Sequence, residues 1–471
     1  MTKKISLLSA VAAAALLAGC SLIPEYGRPA APVAGQFSGA TSQDAGQTPS
    51  AAIPWQDFFK DPRLVRLVDI ALANNRDMRV AALNVEKAGA QFRIQRAGLF
   101  PEVDAQAAGS RSSPNPYQAL GGGSVASNYT VGLGVTAWEL DLFGRISSLK
   151  EAALAQYLAT DASRQAVQVS LVSAVATGWM TVLADNELLE LTRETLRTRE
   201  EGLRLFQLRF DNGVISEIDL RQAESLAEGA RATYAQQQRQ RSQDENALAL
   251  LLGAPVPPES LTGSAGALDQ ITPMPDVPAG LPSDLLTERP DIRAAEQQLL
   301  SANADIGAAR AAFFPRITLT GAIGTASPEL SGLFDSGTKA WSFAPQVTLP
   351  IFDAGRNQAN LDVAKTQRDI AVAQYEQSIQ SAFREVSDAL AGRATLGEQL
   401  RALRAQATAE QVRFNLSALR YRNGISSALD LQDAQRSLFT AQLAAVQTRL
   451  LQLQNQVVLY KSLGGGWATR Q

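Results

Sequence analysis

Residues 420–435 read RYRNGISSALDLQDAQ, and an earlier stretch, residues 210–224, reads FDNGVISEIDLRQAE. Matching residues stand at one offset of 211, namely Asn212 and Asn423, Gly213 and Gly424, Asp219 and Asp430, Leu220 and Leu431, Ala223 and Ala434, and further away Gly144-Arg145 and Gly355-Arg356, Leu252-Gly253 and Leu463-Gly464. Similarity held at a fixed spacing over more than a hundred residues indicates that one structural unit occurs twice. Two unrelated helical regions of similar composition would show no fixed offset.

Composition excludes several classes of function. The 471 residues carry 43 Lys and Arg against 46 Asp and Glu, so no basic excess indicates nucleic-acid binding. Histidine is absent and Cys20 is the only cysteine, which removes most nucleophile–histidine pairs, most zinc sites and any internal disulfide. Carboxylates remain for acid–base hydrolysis, but no motif isolates a catalytic pair. We therefore expect a protein that is not an enzyme, with no metal or cofactor.

The N-terminus has the features of a lipoprotein signal. Lys3-Lys4 precede the short apolar run Ile5–Leu17, a pattern typical of a signal peptide rather than a membrane span. The run ends in Leu17-Ala18-Gly19-Cys20, which resembles a bacterial lipobox, and this predicts lipidation of Cys20. Ser21 after the cysteine resembles lipoproteins sorted to the outer membrane. The alternative is an ordinary cleaved signal with an incidental cysteine.

Four short segments alternate apolar and small or polar residues with a period of two. They cover about residues 101–113, 128–142, 315–327 and 340–352, and each has the length and pattern of an outer-membrane barrel strand. Trp138, Trp341 and Phe352 are candidates for the aromatic girdle of a barrel, with ordinary packing as the alternative. Past the N-terminus, we expect no membrane-spanning helix.

Four strands are too few to close a barrel, since the smallest known have about 8. An open sheet in lipid would leave unpaired backbone groups at several kcal/mol each. Either the sheet lies in a water-soluble fold, or several chains pool their strands. Two chains would give a narrow, filled barrel, and three would give one wide enough for a pore.

Long helices account for most of the remaining chain. Residues 147–210 and 358–421 contain no proline, and their apolar residues recur every three or four positions. At about 1.5 Å per residue such helices reach on the order of 90–100 Å, which indicates coiled-coil pairs rather than one globular core. Each pair turns back at Asn212-Gly213 or Asn423-Gly424. The proline-rich linker 254–282 predicts irregular structure partway along.

The order of these features resembles the outer membrane factors of the TolC/OprM type, in the lipoprotein (NodT-like) branch that serves RND efflux pumps. The most specific motifs are Arg289-Pro290-Asp291-Ile292-Arg293, Phe313-Phe314-Pro315, Phe352-Asp353-Ala354-Gly355-Arg356 and the 420–435 stretch. The first motif is only half repeated, because its match in the first half is Asn75-Arg76-Asp77, without proline. Phe314-Pro315 and Gly355-Arg356 are interpreted as hinges between helix and strand.

The resemblance implies a mainly α fold with membrane β-structure, in which a homotrimer forms a 12-stranded barrel and a 12-helix periplasmic tunnel. It implies the exit duct of a tripartite pump in the outer membrane of a Gram-negative bacterium, with outer-membrane lipid, a periplasmic adaptor and an inner-membrane RND-type transporter as partners. The expected division is a signal peptide (1–19), a lipidated strap (20–60), a first repeat (61–253), the linker (254–282) and a second repeat with the C-terminal tail (283–471).

By the same resemblance, Leu429 and Asp433 correspond to apolar and acidic rings that close the periplasmic tip. Asp430 lies three residues before Asp433, so the two carboxylates share a helix face. Around a threefold axis each would form a ring of three carboxylates that attracts cations. The alternative is a solvated helix face. Gln222 matches Asp433 in the first repeat, so the two tips are not equivalent.

Latch positions of the family match Arg420, Tyr421 and Arg422, where side chains tie the second helix pair to the first. Asp211 is the expected partner, and the alternative for both arginines is ordinary surface charge. The family also uses the helix tips to contact the adaptor, which here are Asn212, Gly213, Asn423 and Gly424.

Two other functions remain open at this level. A lipid-tethered periplasmic coiled-coil scaffold would require the alternating segments to form an ordinary sheet, and a type I secretion duct would share the channel architecture. The Arg-Pro-Asp-Ile-Arg motif and the lipobox favour multidrug efflux. The sequence does not identify the cargo or the partner pump.

Overall fold

Each repeat contains two strands followed by two long helices. The computed structural model describes residues 21–37, 52–113, 125–262, 266–278 and 282–467. The helices are α1 (Trp55–Phe58), α2 (Pro62–Asn74), α3 (Arg76–Ala97), α4 (Arg145–Asp211), α5 (Glu217–Leu252), α6 (Leu285–Glu288), α7 (Pro290–Ala311), α8 (Arg356–Arg422) and α9 (Ala428–Ser462), and the strands are β1 (Asp104–Ser112), β2 (Ala126–Leu140), β3 (Arg316–Ser327) and β4 (Lys339–Thr348). Cys20, the predicted lipidation site, lies outside the described residues.

Contacts divide the described residues into two compact units, and each unit draws on both repeats. The first unit lies within Met1–Ala30, Asn84–Thr160 and Ala294–Tyr375, and the second comprises the rest of the chain. Neither repeat therefore forms a compact unit by itself.

The first unit contains a four-stranded antiparallel sheet in the order β1-β2-β3-β4. Gly132 of β2 faces Gly324 of β3. A Cβ built on Gly324 would stand 2.1 Å from the Val131 carbonyl oxygen, so only glycine permits this approach. Further along β2 the register shifts between Val135 and Trp138, and Ala137 within this bulge has a φ of 51°. Such a bulge bends and twists the strand.

One face of this sheet presents apolar side chains that the described residues leave more than half exposed. Leu133, Ile323 and Trp341 are register neighbours across β2, β3 and β4, and they are 52%, 53% and 75% exposed. Among the described residues β1 pairs only with β2 and β4 only with β3, so each outer strand has an open edge. Open edges present unpaired N–H and C=O groups, and exposed apolar side chains of this kind mark an interaction surface.

The junctions between strands and long helices are held by carboxylates. Glu139, buried at the end of β2, accepts hydrogen bonds from Arg145 Nε (2.8 Å) and Nη2 (2.7 Å), and Arg316 of β3 lies 2.6 Å from it. Asp141 accepts the backbone N–H groups of Ile146 and Ser147 at the start of α4. Asp353 does the same for Asn357 at the start of α8. These contacts fix how each helix leaves the sheet, in agreement with the predicted hinges.

The start of the strap lies along one face of α7 in the first unit. Arg28 binds both oxygens of Glu296 at 2.7 and 2.9 Å, and the Tyr26 hydroxyl donates to the same carboxylate. The carbonyl groups of residues 24 and 22 accept hydrogen bonds from Asn303 (2.8 Å) and Arg310 (3.2 Å). The chain that follows Cys20 is therefore extended and docked over this stretch.

In the second unit, a residue near the start of each repeat is hydrogen-bonded to the end of the second long helix of the same repeat. Asn75 donates to the Leu251 carbonyl (2.9 Å), and Arg289 Nη1 donates to the Ser462 carbonyl (2.9 Å). Leu251 and Ser462 are 211 residues apart, and Asn75 matches Arg289 at 214 in the stretch before the strands. The same junction therefore occurs in both repeats. Its carbonyl acceptors lie among the last four of a helix, which have no partner within the helix.

The helix α4 has an 18-residue window of mean hydropathy 1.6, which is long and apolar enough to cross a membrane. We expected no such stretch beyond the N-terminus. Burial explains it, since 61% of that window is buried inside the chain. Trp179, Met180 and Leu183 are each completely buried. An apolar helix of this kind is typical of a protein core.

Asp185 of α4 makes stability depend on pH. Its side chain is 5% exposed, accepts from Gln237 (2.9 Å), and faces Asp244 of α5, with Arg241 also nearby. Burial and the neighbouring Asp244 raise the pKa of Asp185 to about 7, against about 3.9 in an unfolded chain. Because the pKa is raised, protonated Asp185 stabilises the fold fully below pH about 4, and this stabilisation is lost as the pH rises through 7.

We expect Asp185→Asn to raise the melting temperature of the detergent-purified protein by a few degrees at pH 8 and to leave it nearly unchanged at pH 4. The amide keeps an acceptor for Gln237 and donates to Asp244 without a charge to desolvate. Thermal melts from pH 4 to 9 measure this. An equal shift at every pH would contradict a titrating Asp185.

Candidate functional site

The two Asn-Gly turns have the same structure and lie in the second unit. Gly213 and Gly424 have φ values of 69° and 72°, the left-handed conformation in which glycine ends a helix. Asn212 and Asn423 each donate a side-chain hydrogen bond to the carbonyl four residues earlier, at 2.7 and 2.8 Å. The repeated dipeptide therefore ends the first helix of each pair.

The repeated aspartates begin the second helix of each pair. Ser427 and Asp430 form a capping box, in which the Ser427 hydroxyl donates to Asp430 Oδ2 (2.9 Å) and accepts from the Asp430 N–H (3.2 Å). Ser216 and Asp219 form the same box at the start of α5. Each box satisfies otherwise unpaired N–H groups of the first turn. The structure thus gives Asp430 a helix-capping role that the gate hypothesis did not include.

A small apolar cluster joins the two helix pairs next to these turns. Phe206 of α4, Leu220 and Ala223 of α5, and Tyr421 of α8 are buried together. The rings of Phe206 and Tyr421 are parallel within 8°, with centroids 6.0 Å apart. Tyr421 is 9% exposed although it lies one residue before the end of α8. The second helix pair is therefore packed onto the first through Tyr421.

Arg209 completes the contact between the pairs. Its Nη1 donates to the Tyr421 hydroxyl (2.7 Å), and its guanidinium carbon lies 5.1 Å from the centroid of the same ring. The predicted partner, Asp211, instead accepts from Gln207 of its own helix (2.8 Å). The contact at Tyr421 thus uses Arg209 of α4 rather than the predicted Asp211.

The two predicted latch arginines contribute little here. Arg422 Nε reaches only the Ala418 carbonyl, at 3.4 Å, one turn back on its own helix. Within the part of the chain that the structure describes, the Arg420 side chain forms no hydrogen bond or ion pair. Both side chains are exposed in the single chain.

Asp433 ties α9 to α8. Its carboxylate receives a hydrogen bond from Arg413 of α8 and another from Arg436, one turn further along α9. Arg413 also contacts Glu410 (3.1 Å). The hydrogen bond from Arg413, with the charges of both arginines, holds the pKa of Asp433 below its usual range. A carboxylate with two guanidinium partners is not the uncompensated charge that a cation-attracting ring requires.

The remaining tip residue, Leu429, is 61% exposed in the first turn of α9. Among the described residues, no group of acidic residues has the arrangement to hold a metal ion. The tip is thus built from packing, two capped turns and a few polar ties, and it contains no reacting groups. It can hold helices together or release them.

Sequence reasoning missed Arg209, Phe206, Arg413 and Arg436. Phe206 and Arg209 are three apart, so they share a face of α4, and this was the available signal for an aromatic and cationic partner of Tyr421. Nothing in the sequence marked Arg413, which is 20 residues from Asp433.

Comparison with known proteins decides the family. A family model described as outer membrane efflux protein matches residues 67–254 and 281–465, which correspond to the two repeats. The chain belongs to the outer membrane efflux protein family. This membership confirms the predicted family, fold class, efflux function and outer-membrane location, and the protein is a channel component rather than an enzyme.

Individual relatives agree along nearly the whole chain. The solvent efflux pump outer membrane protein SrpC of Pseudomonas putida is 49% identical, over 97% of this chain and 97% of its own. Outer membrane protein OprJ of Pseudomonas aeruginosa is 45% identical, over 98% of this chain and 95% of its own. The open-state MtrE outer membrane channel of Neisseria gonorrhoeae has a TM-score of 0.84 at 44% identity, covering 95% of this chain and 99% of MtrE.

Proposed function

We propose that this protein is the exit duct of a tripartite efflux pump. Three copies would pool their strands into a 12-stranded barrel and their helices into a periplasmic tunnel. The duct would receive its cargo from an inner-membrane RND-type transporter through a periplasmic adaptor. The observation that carries the proposal is the four-stranded sheet with two open edges and an exposed apolar face.

Backbone chemistry supports the trimer. Every unpaired N–H or C=O group of an edge strand costs several kcal/mol in lipid, so β1 and β4 need partners. Antiparallel order allows β4 of one chain to meet β1 of the next, and repeating this contact closes a ring. Two chains would give 8 strands and a filled barrel, whereas three give 12 and leave a lumen.

The tip is the proposed gate. Tyr421 and Arg209 hold the second helix pair to the first, and Asp433 holds α9 to α8. The gate thus depends on a few polar contacts, of which the Asp433–Arg413 pair is exposed to solvent and therefore weak, so a partner protein can break them. Leu429 would line the closed mouth as an apolar ring. The turns at Asn212-Gly213 and Asn423-Gly424 would contact the adaptor.

Cargo and anchoring complete the proposal. SrpC is named for solvent efflux and the 49% identical ArpC of Pseudomonas putida for antibiotic efflux, and these similarities support solvents and drugs as cargo. A duct touches its cargo little, so selection would rest with the transporter. Lipidation of Cys20 would anchor the chain beside the barrel. The hydrogen bonds of residues 22–28 to α7 support this, because they dock the stretch that directly follows Cys20.

Cross-linking between edge strands tests the trimer. Ala107→Cys in β1 is combined in turn with Phe343→Cys, Pro345→Cys or Val347→Cys in β4, which lie on the same face of the sheet as Ala107. After oxidation in membranes we expect at least one combination to give covalent trimers on denaturing gels, because β1 of each chain lies beside β4 of the next. Each single cysteine variant should give none.

The matched control places both cysteines within one chain. Ala107 faces Val131 across β1 and β2, so Ala107→Cys with Val131→Cys should cross-link without a change in mass. Covalent dimers as the largest product of every β1–β4 combination would contradict the trimer. The absence of any product while the control cross-links would contradict strand pooling altogether.

A further inference from the structure

Arg199 of α4 is a charged side chain without a counter-ion. Its Nη1 donates to the Leu226 carbonyl (3.0 Å), but its Nε is buried and has no hydrogen-bond partner. In the described chain no carboxylate lies within ion-pair distance of it. Arg436 is a cation that also acts on it, and burial together with this charge lowers the pKa of Arg199. A half-buried guanidinium with an unpaired, buried Nε favours an added anion.

A cavity of about 200 Å³ opens beside this guanidinium. Its apolar wall includes Phe414 of α8 and Phe439 of α9, and amide side chains from the same helices line the remainder. Glu194 also borders the cavity, but both of its oxygens bind Arg197. The negative charge of Glu194 is thus already compensated, and the positive charge of Arg199 is not.

We propose that this cavity binds a small aromatic carboxylate. The carboxylate would accept hydrogen bonds from the Arg199 guanidinium, and the ring would lie between Phe414 and Phe439. Planar guanidinium groups match carboxylates in charge and geometry. A cavity of about 150 Å³ holds benzene, so 200 Å³ has room for a ring with one carboxylate. Apolar walls on one side and a single cation on the other favour this class over inorganic phosphate.

The position of the cavity gives binding a structural consequence. One wall belongs to α4 of the first helix pair, and the others belong to α8 and α9 of the second. A bound carboxylate would bridge the two pairs, as the contact between Tyr421 and Arg209 does. Since the ligand would bind the packed helices and not the unfolded chain, saturating benzoate should raise the melting temperature.

Titration calorimetry with sodium benzoate on the full-length, detergent-purified protein tests the proposal. We expect saturable binding with a dissociation constant on the order of 1 mM. Arg199→Gln should weaken binding by about tenfold or more. The control Arg193→Gln should bind as the parent does, because Arg193 lies on the same helix with 70% of its side chain exposed and only a 4.0 Å contact to Glu190.

Neutral benzamide gives a readout that needs no variant. It has the size and ring of benzoate without the charge, so it should bind about tenfold more weakly or not at all. Phe439→Ala, on a different helix, should also weaken benzoate binding. No saturable binding of benzoate up to about 10 mM would overturn the proposal. Equal affinity for benzoate and benzamide would also overturn it, because Arg199 would then play no part.

Discussion

Replacing both Tyr421 and Asp433 with alanine should convert the resting channel into one that conducts several-fold more current in planar bilayers. Tyr421→Ala removes the ring that packs on Phe206 and the hydroxyl that Arg209 holds, so the second helix pair loses its contact with the first. Asp433→Ala removes the tie between α8 and α9 and leaves Arg413 and Arg436 without their shared partner. Cells with this variant should become sensitive to large antibiotics such as vancomycin. Adding Leu429→Ala, which deletes the proposed apolar ring, should increase the current further.

Single variants separate packing from hydrogen bonding at the tip. Tyr421→Phe keeps the buried ring and loses one hydrogen bond, worth about 1 kcal/mol, so its conductance should rise only slightly. Arg420→Ala and Gln222→Ala should behave as the parent does, because the Arg420 side chain has no polar contact in the described chain and Gln222 replaces Asp433 in the first repeat. Parent-like conductance of the Tyr421/Asp433 double variant would contradict the gate.

Arg289→Met should destabilise the protein by about 3 kcal/mol, the low end of the cost of breaking a buried ion pair. The Arg289 side chain is 8% exposed and binds Asp291 through two hydrogen bonds (3.0 and 2.6 Å), Glu385 (2.9 Å) and the Ser462 carbonyl. The low end applies because Asp291 and Glu385 keep 45% and 39% of their side-chain exposure, so water partly solvates them once the arginine is gone. Thermal or denaturant unfolding in detergent measures the loss.

The pH dependence of this loss identifies the ion pair. Burial alone would raise the pKa of Asp291, but the hydrogen bonds and charge of Arg289 outweigh it, and the pKa is lowered. An aspartate with a lowered pKa stabilises the folded state at pH values above its unfolded pKa of about 3.9. This stabilisation is lost as the pH falls through its folded pKa. The difference between parent and Arg289→Met should therefore narrow on acidification below pH about 4. Asn75→Ala, at the matching junction of the first repeat, removes no charge. It should destabilise the protein less than Arg289→Met does, and its difference from the parent should not narrow at low pH.

Most of the fold could be predicted because it follows from local patterns. Alternation with a period of two marked the strands, absence of proline over some sixty residues marked the long helices, and Asn-Gly marked their turns. The trimer hypothesis came from a physical cost, the open edges of four strands in lipid. The burial of one apolar window in α4 could not be predicted, because sequence alone does not show which neighbouring helices cover it.

Polar contacts at the tip were predicted less well. Asp430 was assigned to the gate for its spacing from Asp433, yet its match to Asp219 already indicated a role common to both repeats, and that role is the capping box with Ser427 or Ser216. The contact of Arg209 with Tyr421 joins residues 212 apart, and it depends on how two helix pairs pack. Asp211 was chosen on charge alone, and its carboxylate is used within its own helix.

The most direct test of the proposed duct is single-channel recording on the purified full-length protein, with the mass of the same sample measured in detergent. We expect a trimer that inserts into a planar bilayer and shows a small, discrete conductance. This conductance should increase in the Tyr421→Ala/Asp433→Ala variant. A monomer that never conducts would mean that the strands do not pool into a barrel, and a lipid-tethered scaffold would then describe the protein better.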